Sequence, residues 1–317
     1  MTTLVGTHHK FKAHLAGYAH PECPARLDAV LQGVQDSTVG ELVKFFEIRP
    51  ISPLEIIRVH KPEYVHFLHR FSQHGGQLDA DTLMSVGSWE AALIAAGSGL
   101  DAIQRLRQCE ADAAFLAVRP PGHHASADLA MGFCLFNNVA VASKALLDEG
   151  EKILIFDYDA HHGNGTQQIF LNEPDVMYVS LHQRGIFPGT GSAVEVGIGK
   201  GFGTTINIPV PAGTTGATYM RLVDEILTPE VEKFQPTWVI ASAGFDAHYL
   251  DPLTNLGLTS IDFAQLISWL FQLVPAGRRL VFLEGGYDLE ALRMSVAASL
   301  AAIEGVDLKL EAPDFTS

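Results

Sequence analysis

Short apolar runs recur along the chain, separated by segments of helical periodicity. The runs at 113–118, 153–156, 176–181, 238–241 and 280–283 carry almost no charge, as expected of strands covered on both faces. Amphipathic patterns at 88–107, 137–147, 216–234, 260–273 and 288–303 predict helices between or after them. Strands alternating with helices build βαβ units, so the pattern predicts an α/β fold around a parallel sheet.

The residues just beyond each run point to chemistry. Residues 153–156 lead into Asp157, Tyr158, Asp159, Ala160, His161, His162, Gly163, Asn164 and Gly165. In extended chain, side chains at i, i+2 and i+4 share a face, so Asp157, Asp159 and His161 can converge, with Asp157 a layer deeper. Two of them plus one donor from elsewhere would form the open three-ligand set of a catalytic zinc. An isolated Asp-x-His is usually a solvated turn. Here, however, Arg119-Pro120-Pro121-Gly122-His123-His124 comes after 113–118, and His182 and then Phe187-Pro188-Gly189-Thr190-Gly191 come after 176–181. Ser242-Ala243-Gly244-Phe245-Asp246 succeeds 238–241, and Glu284-Gly285-Gly286-Tyr287 succeeds 280–283. Ligands of open α/β sheets gather outside the carboxyl ends of the strands. Five strand ends delivering reactive groups to one edge predict a metal-dependent active site.

Composition narrows the class. With 317 residues, 47% hydrophobic and 18% charged, the chain can bury a large core. It is long for one domain, but no linker, repeat or low-complexity tract divides it, and a single domain over 1–317 with a frayed tail at 309–317 is expected. The net charge of −15 argues against a nucleic-acid surface, which needs clustered Lys and Arg, and suits cationic substrates. The N-terminus lacks the apolar core of a signal peptide, and no run is long enough to span a membrane. Cys23, Cys109 and Cys134 form no Cys-x-x-Cys, which leaves a reducing cytoplasm as the expected compartment. A homo-oligomer is left open.

The blocks His20-Pro21-Glu22-Cys23-Pro24-Ala25-Arg26, 119–124, Gly132-Phe133-Cys134, 157–166, 187–191, 242–246 and 284–287 together resemble the zinc-dependent histone deacetylase family. They are nearer to its class II and bacterial amidohydrolase-like members. The resemblance runs in order from about residue 14 to 300 and implies the arginase–deacetylase fold, with about eight parallel strands flanked by helices. It implies Asp159, His161 and Asp246 as zinc ligands, a set hard enough to accept Fe2+ or Co2+ as well. It makes His124 the main general base and acid and gives His123 an electrostatic role. Asp157 and Asn164 orient these two imidazoles, and Tyr287 donates to the oxyanion. Asn164 stands where some members have Asp, and an amide raises an imidazole pKa less than a carboxylate does.

The same resemblance implies a tunnel walled by Phe133 and Phe187 for the acyl-lysine stem, with the Gly132 carbonyl accepting the substrate amide N–H and Gly285 lining the substrate. It implies structural K+ held by Asp157, Asp159, Ser180 and the carbonyls of His161 and Leu181, and a product-release role for Arg26 in an internal cavity. The alternative for Arg26 is a charge on the surface of a helix over 24–34. Leu253 sits where polyamine-selecting relatives carry Glu, so an acyl-lysine in a protein, peptide or small molecule is the expected substrate. The alternatives are an acetylpolyamine amidohydrolase and a non-catalytic acyl-lysine reader. The reader is disfavoured by Tyr287 and the complete ligand set. An arginase-like two-metal site would require acids where His123 and His124 stand.

Overall fold

The computed structural model describes residues 2–37 and 42–306; the tail expected at 309–317 lies outside the described residues. The described residues form ten strands: β1 Thr3–Thr7, β2 Val43–Glu47, β3 Gly76–Gln77, β4 Leu83–Met84, β5 Ala113–Leu116, β6 Ile153–Asp157, β7 Val176–Gln183, β8 Thr205–Val210, β9 Trp238–Ala243 and β10 Arg279–Leu283. Eight form one sheet in the order β2-β1-β5-β10-β9-β6-β7-β8, with every neighbouring pair parallel. β3 and β4 form a separate antiparallel pair.

The five predicted strands are β5, β6, β7, β9 and β10, and every residue in them is buried. Helices Ala25–Asp36, Ser88–Arg107, Asn138–Leu147, Ser260–Gln272 and Leu289–Glu304 contribute to the apolar core against the sheet, as parallel sheets require. The predicted helix at 216–234 is divided into Gly216–Leu222, a π turn at Val223–Leu227 and Thr228–Phe234. Pro229 lies in the first turn after this switch, where its missing N–H is tolerated.

Register brings the chemistry to one edge. The last residue of β6, Asp157, pairs with Ser180 of β7 and Ser242 of β9, so the loops beyond these strands leave the sheet side by side. β10 joins β9 to β5, which places the 284–287 loop between the 242–246 and 119–124 loops. No helix among the described residues is long and apolar enough to cross a membrane.

Candidate active site

The turn after β6 and the turn after β9 meet in one group of potential ligands. Donor atoms of Asp159, His161 and Asp246 all lie within 4.8 Å of one another. His161 Nδ1 is 3.2 Å from Asp159 Oδ1 and 2.9 Å from Asp246 Oδ2. Both carboxylates are buried. Burial and repulsion from Asp159 push Asp246 up to about 7. Burial presses Asp159 the same way, but His123 and His161 outweigh it and hold its carboxyl below the usual range. Burial opposes a charge on His161, yet Asp246 and Asp159 raise its pKa well above the usual value. Two desolvated carboxylates thus face one imidazole, with His123 as a second basic neighbour of Asp159. A divalent ion fits this donor set because it would neutralise both acids while leaving His161 neutral.

Backbone donors fix the two acids: Gly285 N–H donates to Asp159 Oδ2 (2.8 Å) and Ala160 N–H to Asp246 Oδ1 (2.8 Å). Gly285 must be glycine here, since a Cβ would lie 2.5 Å from Asp246 Oδ2 and 2.6 Å from Asp159 Oδ2.

The histidine pair packs beside this group, with ring centroids 4.0 Å apart. His123 Nδ1 donates to Asp157 Oδ2 (3.0 Å), and its Nε2 is 3.9 Å from Asp159 Oδ2. His124 Nδ1 donates to Asn164 Oδ1 (2.8 Å). The Asn164 amide is oriented by its own donation to Met131 Sδ (3.3 Å), so its oxygen faces the imidazole and His124 Nε2 keeps its lone pair. The two rings are driven apart electrostatically. Burial opposes the charge on His123, but Asp159 and Asp157 raise its pKa to about 10. Burial, then repulsion from His123 and His161, pushes His124 well below its ordinary value. The surroundings thus favour the charged form of His123 and the neutral form of His124.

Tyr287 closes the opposite side. Its ring meets Phe133 edge-on at 5.7 Å, and the Arg26 guanidinium lies 4.9 Å from the ring centre. Phe187 stands edge-on to His124 at 5.1 Å and to His161 at 6.4 Å. Gly132 is wedged between: a Cβ there would come 2.9 Å from the Phe187 ring. The two phenylalanines therefore flank the group from different sides, with Phe187 40% exposed at the rim. The Gly132 carbonyl already accepts the Cys134 thiol at 3.3 Å, which leaves one lone pair for another donor. Leu253 is exposed, its N–H bonded to Asp251 Oδ1 (3.0 Å).

Arg26 is not a surface charge. It is fully buried and donates to the carbonyls of Glu284 and Gly286 and to Glu22 Oε1, beneath the loop that carries Tyr287. Ser180 Oγ bonds His182 Nδ1 (2.9 Å), and the Leu181 carbonyl accepts the Tyr219 hydroxyl (3.3 Å). Asp157 stands opposite Ser180 on the neighbouring strand.

Several positioning contacts escape sequence reading. The Thr82 hydroxyl accepts the Phe133 N–H (3.1 Å) and His20 packs against that ring at 4.6 Å, which holds Phe133 at φ +67°. Asp251 Oδ2 accepts the N–H of Tyr287 (2.7 Å) and of Asp288 (3.3 Å). His162 bonds Thr190 (2.8 Å) and Gln167 (2.9 Å), tying down the 187–191 loop. The Asp-Pro pair at 251–252 and the second histidine at 162 were the available signals. A second gathering of His8, His9 and Glu47 does not suit a metal. His8 Nδ1 accepts the Lys10 N–H, so its Nε2 carries the proton directed at Glu47 3.3 Å away.

Comparison with known proteins gives the family. The profile of the histone deacetylase domain matches residues 20–303. A probable deacetylase of Archaeoglobus fulgidus is 40% identical over 315 residues, covering 97% of this chain and 88% of that protein. A histone deacetylase-like amidohydrolase of Pseudomonas aeruginosa is 36% identical, covering 92% and 78%. The crystal structure of the HDA15 HD domain superposes with a TM-score of 0.90 at 36% identity, covering 96% of this chain and 88% of that one. The chain belongs to the histone deacetylase family, and its eight-stranded parallel sheet is the fold of that structural neighbour.

Proposed function

We propose that the protein is a zinc-dependent amidohydrolase that removes acetyl or other acyl groups from the lysine side-chain amide of proteins, peptides or small molecules. The observation that carries this reading is a neutral imidazole, His124, with a free Nε2 beside the acid-rich ligand set. Asp159, His161 and Asp246 would hold the metal, which when bound polarises the amide carbonyl and acidifies water. His124 Nε2 takes the proton from the attacking water, its ring held in the required tautomer by Asn164. His124 then delivers that proton to the departing lysine nitrogen. His123, oriented by its hydrogen bond to Asp157, supports the negative charge that develops on the substrate oxygen. The Tyr287 hydroxyl donates to the same oxygen from the opposite side.

Phe133 and Phe187 desolvate the methylene stem of the acyl-lysine, the spare lone pair of the Gly132 carbonyl accepts the amide N–H, and Gly285 lines the substrate. Asp157, Asp159, Ser180 and the carbonyls of His161 and Leu181 would hold K+, and Arg26 would assist release of the carboxylate product. The exposed, apolar Leu253 offers no anion for a second ammonium, which favours acyl-lysine over acetylated polyamine. The test is a panel of acetyl-, trifluoroacetyl- and longer acyl-lysine peptides beside acetylputrescine and acetylspermidine, assayed with zinc-loaded enzyme. Hydrolysis of at least one acyl-lysine is expected. Turnover of polyamines alone would replace the substrate, and turnover of none would overturn the reading.

A further inference from the structure

Glu284, the first residue after β10, is fully buried and forms no ion pair with any described residue. Its Oε2 accepts two successive backbone donors, Gly122 N–H (2.6 Å) and His123 N–H (3.1 Å). Its Oε1 accepts the Ser242 hydroxyl (3.1 Å). Glu284 is anchored at its own backbone, where its N–H reaches the Ala243 carbonyl (3.0 Å) and its carbonyl receives Arg26. Burying a carboxylate without a cationic partner is costly, and an apolar residue would fill the same space without that cost. Burial raises the Glu284 pKa to about 7, with His123 and the Gly122 N–H pulling the other way.

The two amides it binds belong to the turn that presents the histidine pair. Successive N–H groups converging on one anionic oxygen form a nest. Here the nest is in the protein's own loop and the anion is supplied by a side chain from another strand. The far side of the turn is held as well: the His123 carbonyl accepts the Thr166 N–H (3.1 Å), and Gly122 is packed so closely that a Cβ would lie 2.6 Å from Asn138 N. The imidazoles are oriented by Asp157 and Asn164, but those contacts fix ring rotation. Only the backbone contacts fix where the rings start.

We propose that Glu284 is a positioning residue for the histidine pair, its buried carboxylate holding the Gly122–His123 turn at the distance from which both imidazoles reach the scissile amide. The inference rests on the hydrolase reading above. It predicts that acceptor reach, more than charge, matters. Glu284→Gln keeps an oxygen for both N–H groups and turns its amide toward Ser242, whose hydroxyl can accept. Glu284→Asp keeps the charge but withdraws the oxygen by one methylene. Glu284→Ala removes the contact.

The experiment measures kcat and KM per bound zinc on an acyl-lysine peptide, and amide hydrogen exchange of residues 119–125 in each folded, metal-loaded variant. Glu284→Ala and Glu284→Asp should lose roughly 10²-fold in kcat, the scale of a misplaced catalytic group, with KM within about threefold and faster exchange in that segment. Glu284→Gln should recover most of the turnover and the exchange protection. Lower melting temperature with unchanged kcat per zinc would make Glu284 merely structural and overturn the proposal. So would an aspartate variant matching wild type while the glutamine variant fails, because charge would then be the active property. If the wild-type enzyme hydrolyses no acyl-lysine, the functional reading fails; the exchange pattern still decides whether Glu284 holds the turn.

Discussion

Gly285→Ala is aimed at both proposed acidic ligands at once. The added methyl carbon would sit 2.5 Å from Asp246 Oδ2 and 2.6 Å from Asp159 Oδ2. Each oxygen must retreat by about half an ångström to reach even a tight contact, whereas ligand positions in a metal site tolerate only about 0.2 Å. The φ of Gly285 lies outside the left-handed region, so alanine adds no backbone strain and the substitution reports on the close approach alone. Overpacking of this kind costs about 1–3 kcal/mol in the metal-free protein. The larger effect falls on the metal: displacement of two of three ligands should weaken zinc binding by at least about 100-fold, since changes one shell further out already cost 10- to 100-fold. The assay is competition of the apoprotein against a chelating dye, with melting temperature read with and without zinc. A 100-fold weaker site forfeits about 2.7 kcal/mol of zinc-linked stabilisation. Gly257→Ala is the control, because its Cβ would meet nothing nearer than 3.5 Å. A Gly285→Ala protein that binds one equivalent of zinc with wild-type affinity would show that these carboxylates are free to move, and would refute their assignment as ligands.

Three further outcomes are expected. Tyr287→Phe keeps the ring against Phe133 but removes the oxyanion donor, so kcat should fall by roughly 10²–10³ with zinc content unchanged; turnover within about threefold of wild type would leave Tyr287 a packing residue. Leu253→Glu should shift the ratio of kcat/KM toward acetylspermidine by about tenfold, because a part-exposed charge pair contributes roughly 1 kcal/mol; an unchanged ratio would remove Leu253 from the rim. Burial lowers the His60 pKa from 6.5 to about 4, and its Nε2 accepts the Asn137 N–H (2.9 Å), so the folded state binds the proton more weakly than the unfolded chain. Stability from this group is full above pH 6.5 and lost as pH falls toward 4, by roughly 3 kcal/mol in all. In urea titrations across that range His60→Gln should flatten the decline, and an unchanged slope would exclude His60 as a contributor.

The strands legible in the sequence were those buried on both faces. β1 was missed although it is internal, because Thr3-Leu4-Val5-Gly6-Thr7 mixes polar and apolar positions; Gly6 is needed where a Cβ would meet Phe46 at 2.6 Å. β2 and β8 lie at the sheet edges, where Lys44, Glu47 and Pro209 are tolerated and the apolar run is broken. The reactive edge was legible for a geometric reason, since Asp157, Asp159 and His161 follow one strand end and Asp246 another, whereas the choice of Asp159, His161 and Asp246 as the ligand set came from the family resemblance. Asp251 on the Tyr287 N–H, Thr82 on the Phe133 N–H and Arg26 under the 284–286 carbonyls join segments distant in sequence. Side-chain contacts to backbone leave no periodic trace, and only the family resemblance, not the local pattern, set Arg26 apart from a helix-surface charge.

The buried acids tie the chemistry to the fold. Asp157, Asp159, Asp246 and Glu284 are all fully or almost fully buried at the carboxyl edge of the sheet, yet among the described residues only His123 and His161 stand within ion-pair distance of any of them. Such a cluster is unfavourable as a structural device, since apolar residues would pack the same space without desolvating charge. Its members instead divide the work. Asp159 and Asp246 face a common point and fit a cation. Asp157 turns away to hold His123, and Glu284 takes the backbone beneath it. That division explains why neighbouring imidazoles differ in charge: His123 faces two carboxylates, whereas His124 faces an amide and two other histidines. Replacing Asn164 with a carboxylate would erode the difference by favouring a proton on His124, the one imidazole whose proposed role requires a free lone pair.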